Sequence, residues 1–168
     1  ELMSNEDATT YNLFGWGYNV VGSLGQNNRT KYSSPIQLSG DWIKLHQPGT
    51  GWFSATAGAP LFVARGTSGQ LWGVGYNYYG NLAQNDSSPG GGPYGYSSPV
   101  QIPGTNWAAV RAVSPIGAVA TKTDGTLWSW GYNSKGPLGQ NNRTSHSSPV
   151  QIPGTTWPTN DDQLSSCS

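Results

Sequence analysis

Short antiparallel sheets repeated along the chain, an all-β fold, are what this sequence predicts, and three observations carry the prediction. Residues 127 to 154, LWSWGYNSKGPLGQNNRTSHSSPVQIPG, restate residues 13 to 40, LFGWGYNVVGSLGQNNRTKYSSPIQLSG, with 18 of 28 positions identical and no gap. A third copy opens with LWGVGYN at residue 71, so the openings stand 58 and 56 residues apart, and each copy continues into an SSP motif and then a Trp. Periods of this size belong to propeller blades or solenoid turns. The composition agrees: 24 Gly, 12 Pro, 8 Trp and 9 Tyr against only 10% charged residues suit short strands joined by tight turns, not helical bundles.

The elements follow in order within one unit. NWAAVRAVS from Asn106 reads as a first strand, and GAVATKTDGTLWSWG from Gly117 as two strands around Asp124-Gly125. That dipeptide favours a two-residue hairpin in which both central positions take positive φ. The matching stretch LFVARGTSGQLWGVG from Leu61 keeps Gly69 at the second turn position. PVQI from Pro149 makes a short strand at the other end, its Pro suited to an edge. Four antiparallel strands per unit result. The units run approximately 13–57, 58–114 and 115–157 within a single repeat domain, followed by a polar tail at 158–168.

Alternation along the strongest strand predicts how units pack. Trp128, Trp130 and Tyr132 point to one side and Leu127, Ser129 and Gly131 to the other; Phe14, Trp16, Tyr18 against Leu13, Gly15, Gly17, and Trp72, Val74, Tyr76 against Leu71, Gly73, Gly75, repeat the pattern. A sheet with one bulky and one bare face stacks on a copy of itself, so Trp16, Trp72, Trp128, Trp130, Gly17, Gly75 and Gly131 are expected to be blade-packing residues. Each Trp would bury about 150–250 Å². The third copy stops after Trp157 without the strands that follow Trp107, and three open blades leave two faces unburied. Further repeats, or several chains closing the structure together, are therefore expected. The start at Glu1, not Met, reads as a processed product or a window from something longer.

Eight basic and eight acidic residues are dispersed along the chain for a net charge of zero, which gives no footprint for a phosphate backbone or an anionic membrane. Neither nucleic acid nor membrane insertion is expected, and no apolar run approaches 18 residues. Cys167, the single cysteine, cannot form an internal disulfide and leaves oxidising and reducing compartments both open. Neutral polar surfaces of this kind are found on many secreted, adhesive and virion proteins and, less often, inside cells.

No catalytic constellation is legible. His46 and His146 occupy different points of the repeat, and His146 aligns with Tyr32 and Tyr96. No Cys/His/Asp cluster has metal-ligand spacing, and the glycine pairs lack a Walker lysine or a following helix. No catalytic residue, metal or cofactor is assigned. Sequons at Asn28, Asn85 and Asn142 recur every 57 residues, a spacing inherited from the repeat that marks a solvated loop with turn chemistry; glycosylation, the alternative, would require a eukaryotic secretory route. Loops on a rigid scaffold usually carry binding. The candidate partner contacts are therefore Asn27, Asn28, Arg29 and Tyr32, the aromatics Tyr78, Tyr79, Tyr94 and Tyr96, and Asn141, Asn142, Arg143 and His146.

The string W-G-Y-N, three variable positions, L-G-Q, a polar loop and SSPVQIPG, preceded by strand, DG turn and strand, resembles the repeat of the regulator of chromosome condensation family over residues 13 to 157. The resemblance implies a β-propeller, commonly of about seven blades, of which three stand here as a partial propeller or one completed by other chains. A His often found before the turn in that family is missing from GAPLFVAR and IGAVATK. The copies resemble those found in bacterial surface proteins and phage structural proteins. The expectation is a non-enzymatic structural or interaction module of a virion (decoration, fibre or tail) or a cell-surface adhesin, with protein partners, surface glycan as a further ligand, and an assembled state. The family's namesake implies an alternative, nucleotide exchange on a small GTPase coupled to chromatin. A related secreted inhibitor of β-lactamase implies another, in which Tyr78, Tyr79, Tyr94 and Tyr96 would grip an enzyme.

Overall fold

A computed structural model describes residues 11–42, 45–46, 60–63, 69–87, 95–114 and 117–159. Ten strands follow one another: β1 Tyr11–Gly17, β2 Tyr32–Trp42, β3 Leu45–His46, β4 Pro60–Val63, β5 Trp72–Tyr76, β6 Gly95–Gln101, β7 Trp107–Ser114, β8 Gly117–Lys122, β9 Leu127–Gly131 and β10 His146–Ile152. They form antiparallel meanders in chain order, β1-β2, then β3-β4-β5-β6, then β7-β8-β9-β10. These are blades of a partial propeller, and among the described residues the first shows two strands. The sheets are out of phase with the spelling of the repeat: the last one opens at Trp107 and ends at Ile152. Each outermost strand carries the Pro of its SSP motif, and the ladder of β9 with β10 shifts register between His146 and Val150, where Pro149 has no N–H to give.

The hairpin between β8 and β9 corrects one expectation. Gly125 has φ +78°, but Asp124 is not in the left-handed region. The Gly125 N–H donates to Lys122 O at 3.0 Å and the Lys122 N–H to Thr126 O at 2.9 Å, a three-residue loop closed by glycine instead of a two-residue turn. The reason is local. Asp124 accepts from the Thr126 N–H at 3.0 Å and from the Thr126 hydroxyl at 2.7 Å, which holds its backbone in the ordinary region.

At both seams the aromatic stripe packs on a face of bulky apolar residues and not on the bare face alternation predicts. Between the second and third sheets, Leu71, Leu82, Ala83 and Ile102 pack against Trp107, Val110, Ala118, Ala120 and Trp130, with Trp128 at the margin. Between the first and second, Leu13, Leu38 and Trp42 pack against Trp72 and Val74. Gly75 departs from the side alternation gives it: a Cβ there would fall 2.9 Å from Ser23 Oγ across this same seam, on the side of Trp72 and Val74, because the ladder shifts register between Gly73 and Gly75 and Gly75 holds φ +96°; Gly131 is buried beside Gly117 within its own sheet. Completely burying Trp107 and Trp130, whose rings lie 5.8 Å apart, contributes roughly 2–3 kcal/mol each.

Trp16 and Gly17 depart from the expected blade packing. Trp16 is 48% exposed, beside Phe14 at 52% and Tyr18 at 41%, and nothing lies within 4 Å of a Cβ built on Gly17. The stripe of each sheet faces the sheet before it, and no sheet precedes β1-β2 among the described residues.

Candidate functional site

The loops after β1, β5 and β9 leave from one end of the sheets and are built from one kit. Two consecutive turns start each loop. Gly22 donates to Asn19 O and Gly25 to Gly22 O; Gly80 to Asn77 O and Ala83 to Gly80 O; Gly136 to Asn133 O and Gly139 to Gly136 O, all within 2.9–3.2 Å. The Asn that opens the loop is fully buried in every copy. Its Oδ1 accepts the N–H of Leu24, Leu82 or Leu138 at 2.9, 2.8 and 3.0 Å. Its Nδ2 donates back to the far limb of the loop: Asn19 to Asn28 O and Thr30 O, Asn77 to the Asp86 carboxylate, Asn133 to Asn142 O and Thr144 O. A Gln then ties the loop to the outer strand, Gln26 to Gln37 O and Gln84 to Gln101 O at 2.8 Å, and Gln140 to Val150 O at 3.1 Å. Buried amides with all these partners rigidify a loop, since an unmade bond there is costly.

Much of the polar candidate set is committed to this scaffold. The Asn27 N–H donates to Ser97 O at 2.7 Å and its Oδ1 accepts from the Ser98 hydroxyl, both on the next blade. Arg29 reaches the same blade through Nη2 on Gly95 O at 3.0 Å. Asn28 donates to Gln26 O and to the Tyr32 hydroxyl. Asn142 repeats the Asn28 bond onto Gln140 O. Asn141 and Arg143 are exposed. In β10, His146 is half-buried, and its Nε2 meets no hydrogen-bond partner among the described residues, whereas Tyr32 and Tyr96 at its position are both bonded. Tyr96 donates its hydroxyl to Asp86 Oδ2 at 2.9 Å; burial, then this hydrogen bond and the carboxylate charge, push the phenol from 10.0 up to about 12. Tyr94 lies outside the described residues.

The tyrosines make a different arrangement. Tyr76 stacks on Tyr78 with centroids 6.3 Å apart, Tyr78 meets Tyr79 edge-on at 4.8 Å, and Tyr79 meets Tyr132 of the next blade at 4.6 Å. Four rings thus form a row across the second seam, with Tyr78 41% exposed at its crest. Tyr18 stands apart at the position equivalent to Tyr76, with Lys31 Nζ 5.2 Å above its ring. Sequence reasoning points to Tyr78 and Tyr79 but misses Tyr76 and Tyr132, which alternation assigns to packing; adjacency across the seam is the missing signal.

The opposite end of the third blade carries Lys122, its Nζ 5.0 Å from the Trp107 ring and 4.5 Å from Trp128. Asp124 beside it is held below the usual carboxylate range by the hydroxyl and N–H of Thr126. No three His, Cys, Asp or Glu side chains gather into a metal-binding group, and no helix is long and apolar enough to cross a membrane, among the described residues. What the loop end presents is a rigid row of amphipathic rings. Such rings offer large contact area at small entropy cost, the chemistry of protein-binding hot spots.

Residues 124–157 match the profile of the Regulator of chromosome condensation (RCC1) repeat. Among solved structures, human WBSCR16 is similar at 18% identity over 91% of this chain and 40% of that one, with a TM-score of 0.65. Prp20p from Saccharomyces cerevisiae, a propeller of the same repeat family whose structure was described with its binding properties to Gsp1p and histones, is similar at 19% identity and a TM-score of 0.64. That match covers 86% of this chain and 34% of Prp20p, so the chain spans two fifths or less of both structures it resembles. At these identities the likeness is one of fold.

Proposed function

Since this chain carries a regulator of chromosome condensation repeat on the blades of a partial propeller, we propose that it is a non-enzymatic interaction module that grips a protein partner with its loop end. The observation that carries the reading is the tyrosine row from Tyr76 through Tyr78 and Tyr79 to Tyr132, presented by loops that buried amides hold in place. The binding of Prp20p to Gsp1p and histones, both of them proteins, supports the class of partner. The setting we attach to the module is a virion or a cell surface, supported by zero net charge and a surface built from neutral polar residues. A GTPase or histone partner of the kind bound by Prp20p is the second reading; for histones, a neutral chain lacks the electrostatic attraction such basic partners would reward.

The test places a photo-crosslinking phenylalanine analogue at position 78 and, on the opposite end, at position 155, in the protein exposed to an extract of its source. Adducts with a defined protein from position 78 and none from position 155 are the expected result. Equal adducts from both positions, or none from 78, would refute the loop end as the binding face.

A further inference from the structure

The three loops of the binding end each hold one interchangeable pair of residues in the same frame. The pair stands between the buried Asn and the glycine whose N–H donates back to that Asn's carbonyl: Val20-Val21 between Asn19 and Gly22, Tyr78-Tyr79 between Asn77 and Gly80, Ser134-Lys135 between Asn133 and Gly136. The glycines share a left-handed backbone, with φ of +81°, +76° and +87°, so the pairs occupy matching places on successive blades. The second loop has a blade on either side and shows what access such a pair keeps once both seams are made: Tyr78 is 41% exposed and Tyr79 half-buried. Access to a loop tip therefore does not depend on an open seam.

Along the stack the pairs change chemistry in one direction, from two valines through two tyrosines to a serine and a lysine. The tyrosines at the centre are tied to the third blade, Tyr79 meeting Tyr132 at 4.6 Å, and Tyr132 immediately precedes the turn that carries Lys135. Charge at this end is one-sided as well. The loops 18–31, 77–94 and 132–145 contain Arg29, Lys31, Lys135 and Arg143 against a single acid, Asp86. Asp86 is committed within its own blade, Oδ1 accepting from Asn77 Nδ2 at 2.8 Å and Oδ2 from the Tyr96 hydroxyl at 2.9 Å, while Arg29 is spent on Gly95 O. The rings of the row meet one another by face and by edge, at 6.3 and 4.8 Å, so they do not make the platform of open ring faces on which bases stack.

We propose that the partner lays one amphipathic protein segment across the three loop tips, with its apolar end on Val20-Val21, an aliphatic or aromatic anchor on Tyr78 and Tyr79, and its acidic end at Lys135. This rests on the loop end gripping a protein and adds a direction to that grip. Valines at a tip offer apolar area and no side-chain hydrogen bond, tyrosines offer area and a hydroxyl, and a lysine offers charge. A segment running the other way would set its carboxylates on two valines and its apolar end against an ammonium, leaving charges desolvated and unpaired. Such a penalty is how an interface rejects the wrong orientation. The excess of cations over Asp86 favours the acidic segment further and acts more on the rate of encounter than on affinity.

The photo-crosslinking analogue is placed in turn at positions 20, 78 and 134 of the full chain, the first residue of each pair, and the partner peptides captured from the source extract are sequenced. One protein captured from all three positions is expected, with apolar residues at the adduct of position 20 and Asp or Glu beside that of position 134. The deciding variant exchanges the outer pairs, Val20→Ser and Val21→Lys together with Ser134→Val and Lys135→Val, which leaves composition and net charge as they are. With the analogue at 78, the exchanged chain is expected to give about tenfold less adduct at an unchanged urea midpoint. Adduct that survives the exchange overturns the ordered segment while the loop-end grip stands; no adduct at 78 in the unexchanged chain removes both. Adducts abolished by nuclease treatment assign the face to nucleic acid and overturn the proposal as well. Should the exchanged chain fail to fold, Lys135→Gln is set against Thr155→Glu on the opposite end, two changes equal in their effect on net charge. Loss of adduct with the first alone supports the proposal, and equal yields refute it.

Discussion

Replacing Asn133 by Ala removes the residue on which the last loop is hung. Asn133 is fully buried; its Oδ1 accepts the Leu138 N–H at 3.0 Å and its Nδ2 donates to the carbonyls of Asn142 and Thr144 at 2.9 and 3.0 Å. Leu138 is itself inaccessible, so its N–H is left without an acceptor, which costs about 1–3 kcal/mol. Asn142 and Thr144 are exposed, and water takes over their carbonyls, leaving a net loss of roughly 0.5–1 kcal/mol for the pair. The expected destabilisation is about 2–4 kcal/mol, a large share of the roughly 5–15 kcal/mol that holds an ordinary domain together. Urea unfolding with linear extrapolation reads it, and faster amide exchange at Leu138 localises it. The control is Asn142→Ala, which removes the exposed bonds with Gln140 O and the Thr144 N–H and a long 3.4 Å bond from Asn133 Nδ2, but leaves the Leu138 N–H its acceptor. If Asn133→Ala costs no more than that control, the buried amide does not organise the loop and the reasoning fails.

Three further outcomes follow from the same contacts. Gly80→Ala meets both a φ of +76° and the Ser147 backbone at 2.5 Å, whereas Gly136→Ala meets only a φ of +87° in open space; both lose about 1 kcal/mol to strain, and the first loses roughly 1–3 kcal/mol more to overpacking, a difference measured by parallel denaturation curves. His146→Tyr places a hydroxyl where Asn142 Nδ2 can donate to it as Asn28 donates to Tyr32, and it removes the buried unpartnered Nε2; stability is expected to rise by about 0.5–1.5 kcal/mol, seen as a higher urea midpoint. Tyr96 is an acid whose folded pKa, about 12, lies above its ordinary 10.0, so its contribution is fully present below pH 10 and is lost as pH rises toward 12. Unfolding free energies of wild type and Tyr96→Phe across that window are expected to converge as pH rises, and a constant gap would contradict the Asp86 bond.

The meander and the stacking order are legible in the sequence because they depend on alternation, and alternation is local. Trp130 and Gly131 tell their own sides of the sheet without knowledge of any neighbour. What stays hidden depends on which residue stands across a seam. Trp16 and Trp130 occupy equivalent places in the repeat, and only position in the stack makes one solvent-exposed and the other buried. Asn27 looks like a surface turn residue, and its hydrogen bonds to Ser97 and Ser98 require that the next blade be in place. Asp124-Gly125 misleads for a smaller reason: the pair signals a two-residue turn, but Thr126 two positions after Asp124 offers its carboxylate a hydroxyl and an N–H, and that local bond sets the turn.

The variable positions of the repeat are where the proposed binding would gain its specificity. Each loop begins with a buried Asn and reaches a glycine three residues later, and between them stand Val20-Val21, Tyr78-Tyr79 and Ser134-Lys135. The Asn and the glycine are fixed by the two turns and the amide bonds, so their neighbours are held at the same place on every blade whatever their chemistry. A pair that carries no structural duty is free to differ, and here the three pairs are apolar, aromatic and polar in turn. The tyrosine row exists because the aromatic pair lies next to the seam, where Tyr79 reaches Tyr132. Exchanging Tyr78-Tyr79 for the Ser-Lys pair of the third loop should therefore leave stability nearly unchanged while removing the face proposed to grip the partner. A loss of folding on that exchange would mean the rings hold the seam together and do not present a surface.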